Sequence, residues 1–112
     1  MRSRFEILAD EHDRFVFQFL ATDGSSLLRG LPSSDRYTVQ VELMQARTAL
    51  RVGNRFVKHT DDDGGWFAVL TQKNGNPLAR TATVRGEQAL DALIEQLATT
   101  AVGAPLLKHQ DA

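Results

Sequence analysis

Phe15, Phe17, Phe19 and Ala21 alternate with the polar residues Arg14, Gln18 and Thr22. A period of two is what a β-strand shows when one of its faces lies on a core. Trp66, Ala68 and Leu70 occupy the matching places in a second run, and the two runs end in Asp23-Gly24 and Asn74-Gly75. Such dipeptides supply the positive φ angles of a tight hairpin turn. A third short strand follows over 26–30 and again over 77–82, with Pro77, which has no amide hydrogen to donate, at the start of the second. The period then changes. Val39, Leu43, Ala46 and Leu50 fall at helical spacing, as do Leu90, Ile94, Leu97 and Ala101, which predicts helices near 35–51 and 86–102, each with one apolar stripe. Ser34 is the expected N-cap of the first helix. Gly53 and Gly103 are the expected left-handed residues after each helix, and Pro105 follows the second.

The two halves echo each other. A shift of 51 residues lays 4–50 over 55–101 without a gap and matches eight identical residues, among them Arg4/Arg55, Gly24/Gly75 and Arg29/Arg80. Each half reads strand, acidic turn, strand, Asx-Gly turn, strand, helix. The segment from Leu106 to Asp111 resembles that from Phe56 to Asp61, which predicts a closing strand over 105–110. The expected organisation is a single domain over 1–112 with internal repeats 4–53 and 55–103 and that final strand. Hairpins this short enforce antiparallel pairing. The expected class is therefore α+β: a duplicated βββα repeat plus a final strand, a single antiparallel sheet of about seven strands, and two helices on one face. The expected core comprises Phe5, Phe15, Phe17, Phe19, Val39, Leu43, Phe56, Trp66, Leu70, Leu90, Ile94 and Leu97.

Composition narrows the functions. The chain has 112 residues, 42% of them hydrophobic, and no cysteine. That length supports one core without disulfide or metal staples, and thiolate nucleophiles and thiolate metal sites are excluded. A cytoplasmic setting is expected from the absence of cysteine and of any long apolar run. The 13 basic and 14 acidic residues nearly cancel, so the broad positive field of a non-specific nucleic-acid binder is missing.

In the strand segments, Phe15-Val16-Phe17-Gln18-Phe19 with Asp23-Gly24-Ser25-Ser26-Leu27-Leu28, and Trp66-Phe67-Ala68-Val69-Leu70 with Asn74-Gly75-Asn76-Pro77-Leu78, the chain resembles the YegP-like family of small prokaryotic proteins of unknown function. In the helices, Glu42-Leu43-Met44-Gln45-Ala46 and Leu93-Ile94-Glu95-Gln96-Leu97 keep that family's apolar positions but lack its glycine. The resemblance implies a single antiparallel sheet built by two repeats that exchange their last strands. It implies no activity, and no catalytic or ligand residue is carried over from it.

Chemistry-bearing motifs are sparse. There is no nucleophile elbow, phosphate loop or metalloprotease histidine pair. Asp61-Asp62-Asp63-Gly64-Gly65 lacks the alternate carboxylates and closing glutamate of a calcium loop, and like Asp10-Glu11-His12-Asp13 it reads as a solvated turn. His59 and His109 hold equivalent strand places and could meet if those strands pair, yet they would lack the further ligands of a stable zinc site. No metal and no cofactor are expected. Arg29 and Arg80 match across the halves, and paired guanidinium groups can grip a phosphate or carboxylate. Val16, Leu20, Phe67 and Val69 alternate with the core residues, so they fall on the sheet face that two helices cannot cover, where either a partner or loops and the C-terminal tail of the same chain would shield them. The expectation is a small interaction or assembly module without catalytic activity, using these four residues against a protein partner or a second copy, with no membrane and nucleic acid disfavoured. The alternative is a small-ligand or nucleic-acid binding domain centred on Arg29 and Arg80.

Overall fold

The computed structural model describes residues 3–52, 55–101, 104 and 106–108. The segments with period two are strands and those with helical spacing are helices. In chain order they are β1 (Arg4–Ala9), β2 (Phe15–Leu20), β3 (Ser26–Gly30), α1 (Arg36–Val52), β4 (Phe56–Thr60), β5 (Gly65–Thr71), β6 (Pro77–Thr81), β7 (Val84–Arg85), α2 (Glu87–Thr100) and β8 (Leu106–Lys108). They form one open sheet in the order β4-β5-β6-β3-β2-β1-β8, with β7 also paired to β5. Two three-stranded meanders therefore meet along β3 and β6.

The turns explain the meanders. Asp10 accepts hydrogen bonds from the His12 and Arg14 amides, both at 2.9 Å, and Asp61 accepts from the Asp63 and Gly65 amides at 3.0 and 2.7 Å. At the second turn of each meander, Gly24 and Gly75 take φ of 88° and 91°, which a side chain would resist. Beside them Asp23 and Asn74 accept from the amides two residues on, at 2.9 and 3.0 Å. The register shifts at Phe19/Leu20 and again at Leu70/Thr71. Positions 51 apart thus share their local geometry.

Three details differ from the sequence expectation. The closing strand β8 pairs with β1 in parallel, while every other pairing is antiparallel. Its chain arrives through a helix rather than a hairpin, and a helical crossover permits parallel alignment. Each meander stays whole, and among the described residues the strand that crosses over is β8, which follows α2 and joins the first meander. The strand β7 was not expected: it continues the line of β6 along β5 after a break at Ala82 and Thr83. In the first half a single bridge between Phe15 and Ser33 takes the same place. Finally, Asp35 rather than Ser34 caps α1, because its carboxylate reaches the Tyr37 amide at 3.1 Å and the Thr38 hydroxyl at 2.8 Å. The expected helix-ending residues Gly53 and Gly103, and Pro105, lie outside the described residues.

Both helices pack on one face of the sheet. A single buried cluster joins Val39, Leu43, Ala46 and Leu50 of α1, Leu90 and Leu97 of α2, and Phe5, Phe17, Phe19 and Leu70 of the strands. Phe15, Phe56, Trp66 and Ile94 pack against it half-buried, and Leu93 is buried beside Leu97. Phe5 and Phe19 meet with ring centroids 4.9 Å apart. Lys58, at the rim of the helical face, bonds Asp91 and Glu87 of α2 at 2.5 and 3.1 Å, and those bonds raise its pKa above the usual lysine range.

Candidate anion-binding face of the sheet

On the face away from the helices the strand register sets side chains in rows. One row runs across six strands: Glu6 of β1 pairs with Gln18 of β2, Gln18 with Arg29 of β3, Arg29 with Arg80 of β6, Arg80 with Val69 of β5, and Val69 with Val57 of β4. The centre of this row, where the meanders meet, places Arg29 directly opposite Arg80. Directly opposed like charges on a sheet are unfavourable. No carboxylate pairs with either arginine among the described residues, and Glu6, at the β1 end of the row, is paired with Arg4 at 3.0 Å.

Arg80 is held in place. Its guanidinium carbon lies 3.6 Å from the centroid of the Phe67 ring, and its Nη2 donates to Thr83 Oγ1 at 3.3 Å. The His59 ring stacks on the same phenylalanine, 5.4 Å between centroids and 22° between planes. Stacking of this kind fixes an arginine's plane and leaves its N–H edge for a ligand. Arg29 is exposed and, among the described residues, makes no hydrogen bond or ion pair. A depression of about 450 Å³ takes in both arginines together with Leu31, Pro32 and Thr83.

The expected apolar patch is corrected here. Val16 is fully buried and Leu20 is only 6% exposed. Both sit on β2, an interior strand whose neighbours crowd it: Val16 faces Leu8, and Leu20 faces the ion-paired Arg4. Phe67 and Val69 are half-buried, and Phe67 is occupied by its contacts with Arg80 and His59. The four residues therefore share the face, and two of them offer almost no surface. The strand pairing on which a meeting of His59 and His109 depended is absent, since β4 and β8 are at opposite ends of the sheet, and His109 itself lies outside the described residues. Arg4 and Arg55 are likewise apart, the first opening β1 and the second immediately preceding β4, the outer strands of the two meanders. No group of three or more His, Cys, Asp or Glu that could hold a metal occurs among the described residues. Asp61 to Gly65 is a hairpin turn with its carboxylate engaged by backbone amides.

The shift of 51 that pairs Arg29 with Arg80 is a signal visible in the sequence. The partners of Arg80 are not. Phe67 lies diagonally from it across β5, and Thr83 lies in the break before β7, so both contacts depend on a register that composition does not fix.

An α+β protein with one open, almost wholly antiparallel sheet under two helices is thus defined, with two opposed arginines at the centre of its bare face. Its fold is that of YegP, a protein of unknown function from E. coli, whose solution NMR structure matches with a TM-score of 0.88 over 100% of this chain and 97% of that one, at 15% identity. The solution NMR structure of a UPF0339 protein from Shewanella oneidensis matches with a TM-score of 0.86 over 96% of this chain and 92% of that one, also at 15% identity. At such identity the likeness carries the fold alone. No protein-family model and no curated protein matches the chain. No helix among the described residues is long and apolar enough to cross a membrane.

Proposed function

We propose that the protein is a non-enzymatic binding module that holds a phosphate-bearing ligand on the bare face of its sheet, between Arg29 and Arg80. The observation that carries this reading is the pair itself: two arginines at directly opposed positions of β3 and β6, both lining one depression, with no acidic partner among the described residues. Bringing like charges together costs stability, and a bound dianion removes that cost while accepting bidentate hydrogen bonds from both. Phe67, Val69 and the half-exposed Val57 extend from the pair toward β4 and suit the carbon skeleton of the same ligand. The assembly role expected for this face is weaker, because Val16 and Leu20 are buried.

The test is an NMR titration with inorganic phosphate that follows the arginine Nε–Hε resonances. Saturable shifts confined to Arg29 and Arg80, weakening steeply as salt rises, support the reading. Equal shifts at all arginines, or phosphate-induced shifts of the remaining arginines that are unchanged in an Arg29→Gln/Arg80→Gln variant, refute it.

A further inference from the structure

The large apolar side chains left in water are concentrated away from the sheet. Tyr37 is 71% exposed, Met44 67%, Val52 50% and Val41 36%, and all four belong to α1. Their spacing of four, three and eight residues places them on one stripe, distinct from the buried stripe of Val39, Leu43, Ala46 and Leu50. From Tyr37 to Val52 the stripe runs about 22 Å at 1.5 Å per residue, the length of about four helical turns.

Beside it lies a groove of about 500 Å³ between α1 and the turn joining β5 to β6. Val41, Met44, Ala49 and Leu78 make its apolar surface, Arg55 and Lys73 make its charged rim, and no acidic residue lines it. Beside half-buried Arg55 and exposed Lys73, Arg51 adds a further exposed cation in the last turn of α1. An apolar stripe flanked by cations on one side complements a helix with one apolar face and acidic flanks. A second copy of this chain packed groove to groove would bring the same cations and no groove-lining carboxylate to meet that rim.

We infer that the outer face of α1, with the groove beside it, docks an acidic amphipathic helix of about four turns from a partner protein. The apolar side of the incoming helix covers Tyr37, Val41, Met44 and Val52, and its carboxylates meet Arg55 and Lys73. This surface is independent of the Arg29–Arg80 site, which lies on the opposite side of the sheet.

Two fluorescein-labelled synthetic peptides test it by fluorescence anisotropy. Both carry leucines at helical spacing over about 18 residues. One has glutamates at the flanking positions and the other has lysines there. The glutamate peptide is expected to bind saturably and at least about tenfold more tightly than the lysine peptide. Arg55→Glu/Lys73→Glu is expected to abolish that difference, Met44→Ser to weaken the binding of both peptides, and Arg29→Gln/Arg80→Gln to change nothing. Circular dichroism on each variant shows that the fold is intact, and Tyr37→Ser replaces Met44→Ser if that variant unfolds. Equal binding of the two peptides, or undiminished binding by Arg55→Glu/Lys73→Glu, overturns the inference. Sedimentation velocity without peptide decides the remaining occupant: dimerisation abolished by Met44→Ser assigns the stripe to a second copy and also overturns it.

Discussion

Gly30 offers the sharpest test of how the sheet is packed beside the arginine pair. It ends β3, next to Arg29, and a Cβ built there would lie 2.3, 2.5 and 2.8 Å from three carbons of the Phe17 ring. Ordinary contact begins at 3.4 Å, so the overlap is about 1 Å at the closest atom. Neither side can yield cheaply. Phe17 is fully buried in the core, and β3 is hydrogen-bonded to β2 on one side and β6 on the other. Gly30→Ala is therefore expected at the upper end of overpacking costs, about 3 kcal/mol, or a fall in Tm of about 12 °C for a domain of this size. Urea unfolding followed by circular dichroism measures it. Gly24→Ala is the control: nothing lies within 4 Å of its added Cβ, and only its φ of 88° opposes the change, at about 1 kcal/mol. Shortening the ring should relieve the clash, so Phe17→Leu/Gly30→Ala should be less destabilised than the sum of the single changes by about 1 kcal/mol or more. A loss below about 0.5 kcal/mol for Gly30→Ala, or strict additivity in the double variant, refutes the close seating of Phe17 under β3.

Asp35→Ala removes the acceptor for the Tyr37 amide and the Thr38 hydroxyl, and is expected to cost about 1 kcal/mol in urea unfolding, whereas Ser34→Ala costs nothing measurable. Asp10 has its pKa held below the usual 3.8 chiefly by the Arg14 amide. A depressed carboxylate contributes stability above its unfolded pKa and loses it as pH falls through the folded value. Acid unfolding should therefore shift to higher pH in Asp10→Asn, with no difference between the proteins' pH dependence in the neutral range. Deleting the segment from 105 onward removes β8 and bares the edge of β1, so the shortened chain is expected to aggregate or to lose cooperative melting; a cooperative, monomeric melt would contradict the pairing.

Much of the fold was legible because local signals agreed. The alternation at Phe15, Phe17 and Phe19 and the stripe from Val39 to Leu50 mark faces that must be buried, and Asp23-Gly24 and Asn74-Gly75 fix where the strands reverse. What depended on tertiary register was not legible. The direction of β8 follows from the path of α2 across the sheet, and β7 follows from how far β6 can run along β5. The patch shows the same limit. Alternation places Val16 and Leu20 on the bare face, but it cannot report that they are buried there, opposite Leu8 and Arg4 of the neighbouring strand. The arginine pair was legible as a symmetry between Arg29 and Arg80. The stack that immobilises one of the two, Arg80 on Phe67 on His59, appears only once β4, β5 and β6 are set side by side. The exposed stripe on α1 was hidden for a different reason: the same helix carries a stronger stripe, from Val39 to Leu50, and one period masks the other.

The central claim is that Arg29 and Arg80 act as one anion site, and a double-mutant cycle on phosphate affinity tests it most directly. Inorganic phosphate binding is measured calorimetrically at low salt for the native chain, Arg29→Gln, Arg80→Gln and the double variant, with thermal melts to show that each is folded. Groups that share one ligand are coupled, so each single change should remove nearly all the affinity and the second should add little, a coupling of about 1 kcal/mol or more. The cost of opposing two cations also disappears when Arg29, which has no contacts of its own to lose among the described residues, is replaced, so Arg29→Gln should melt at or above the native temperature in phosphate-free buffer. Additive losses of affinity, or a native chain that binds phosphate no more tightly than the double variant, would contradict the account.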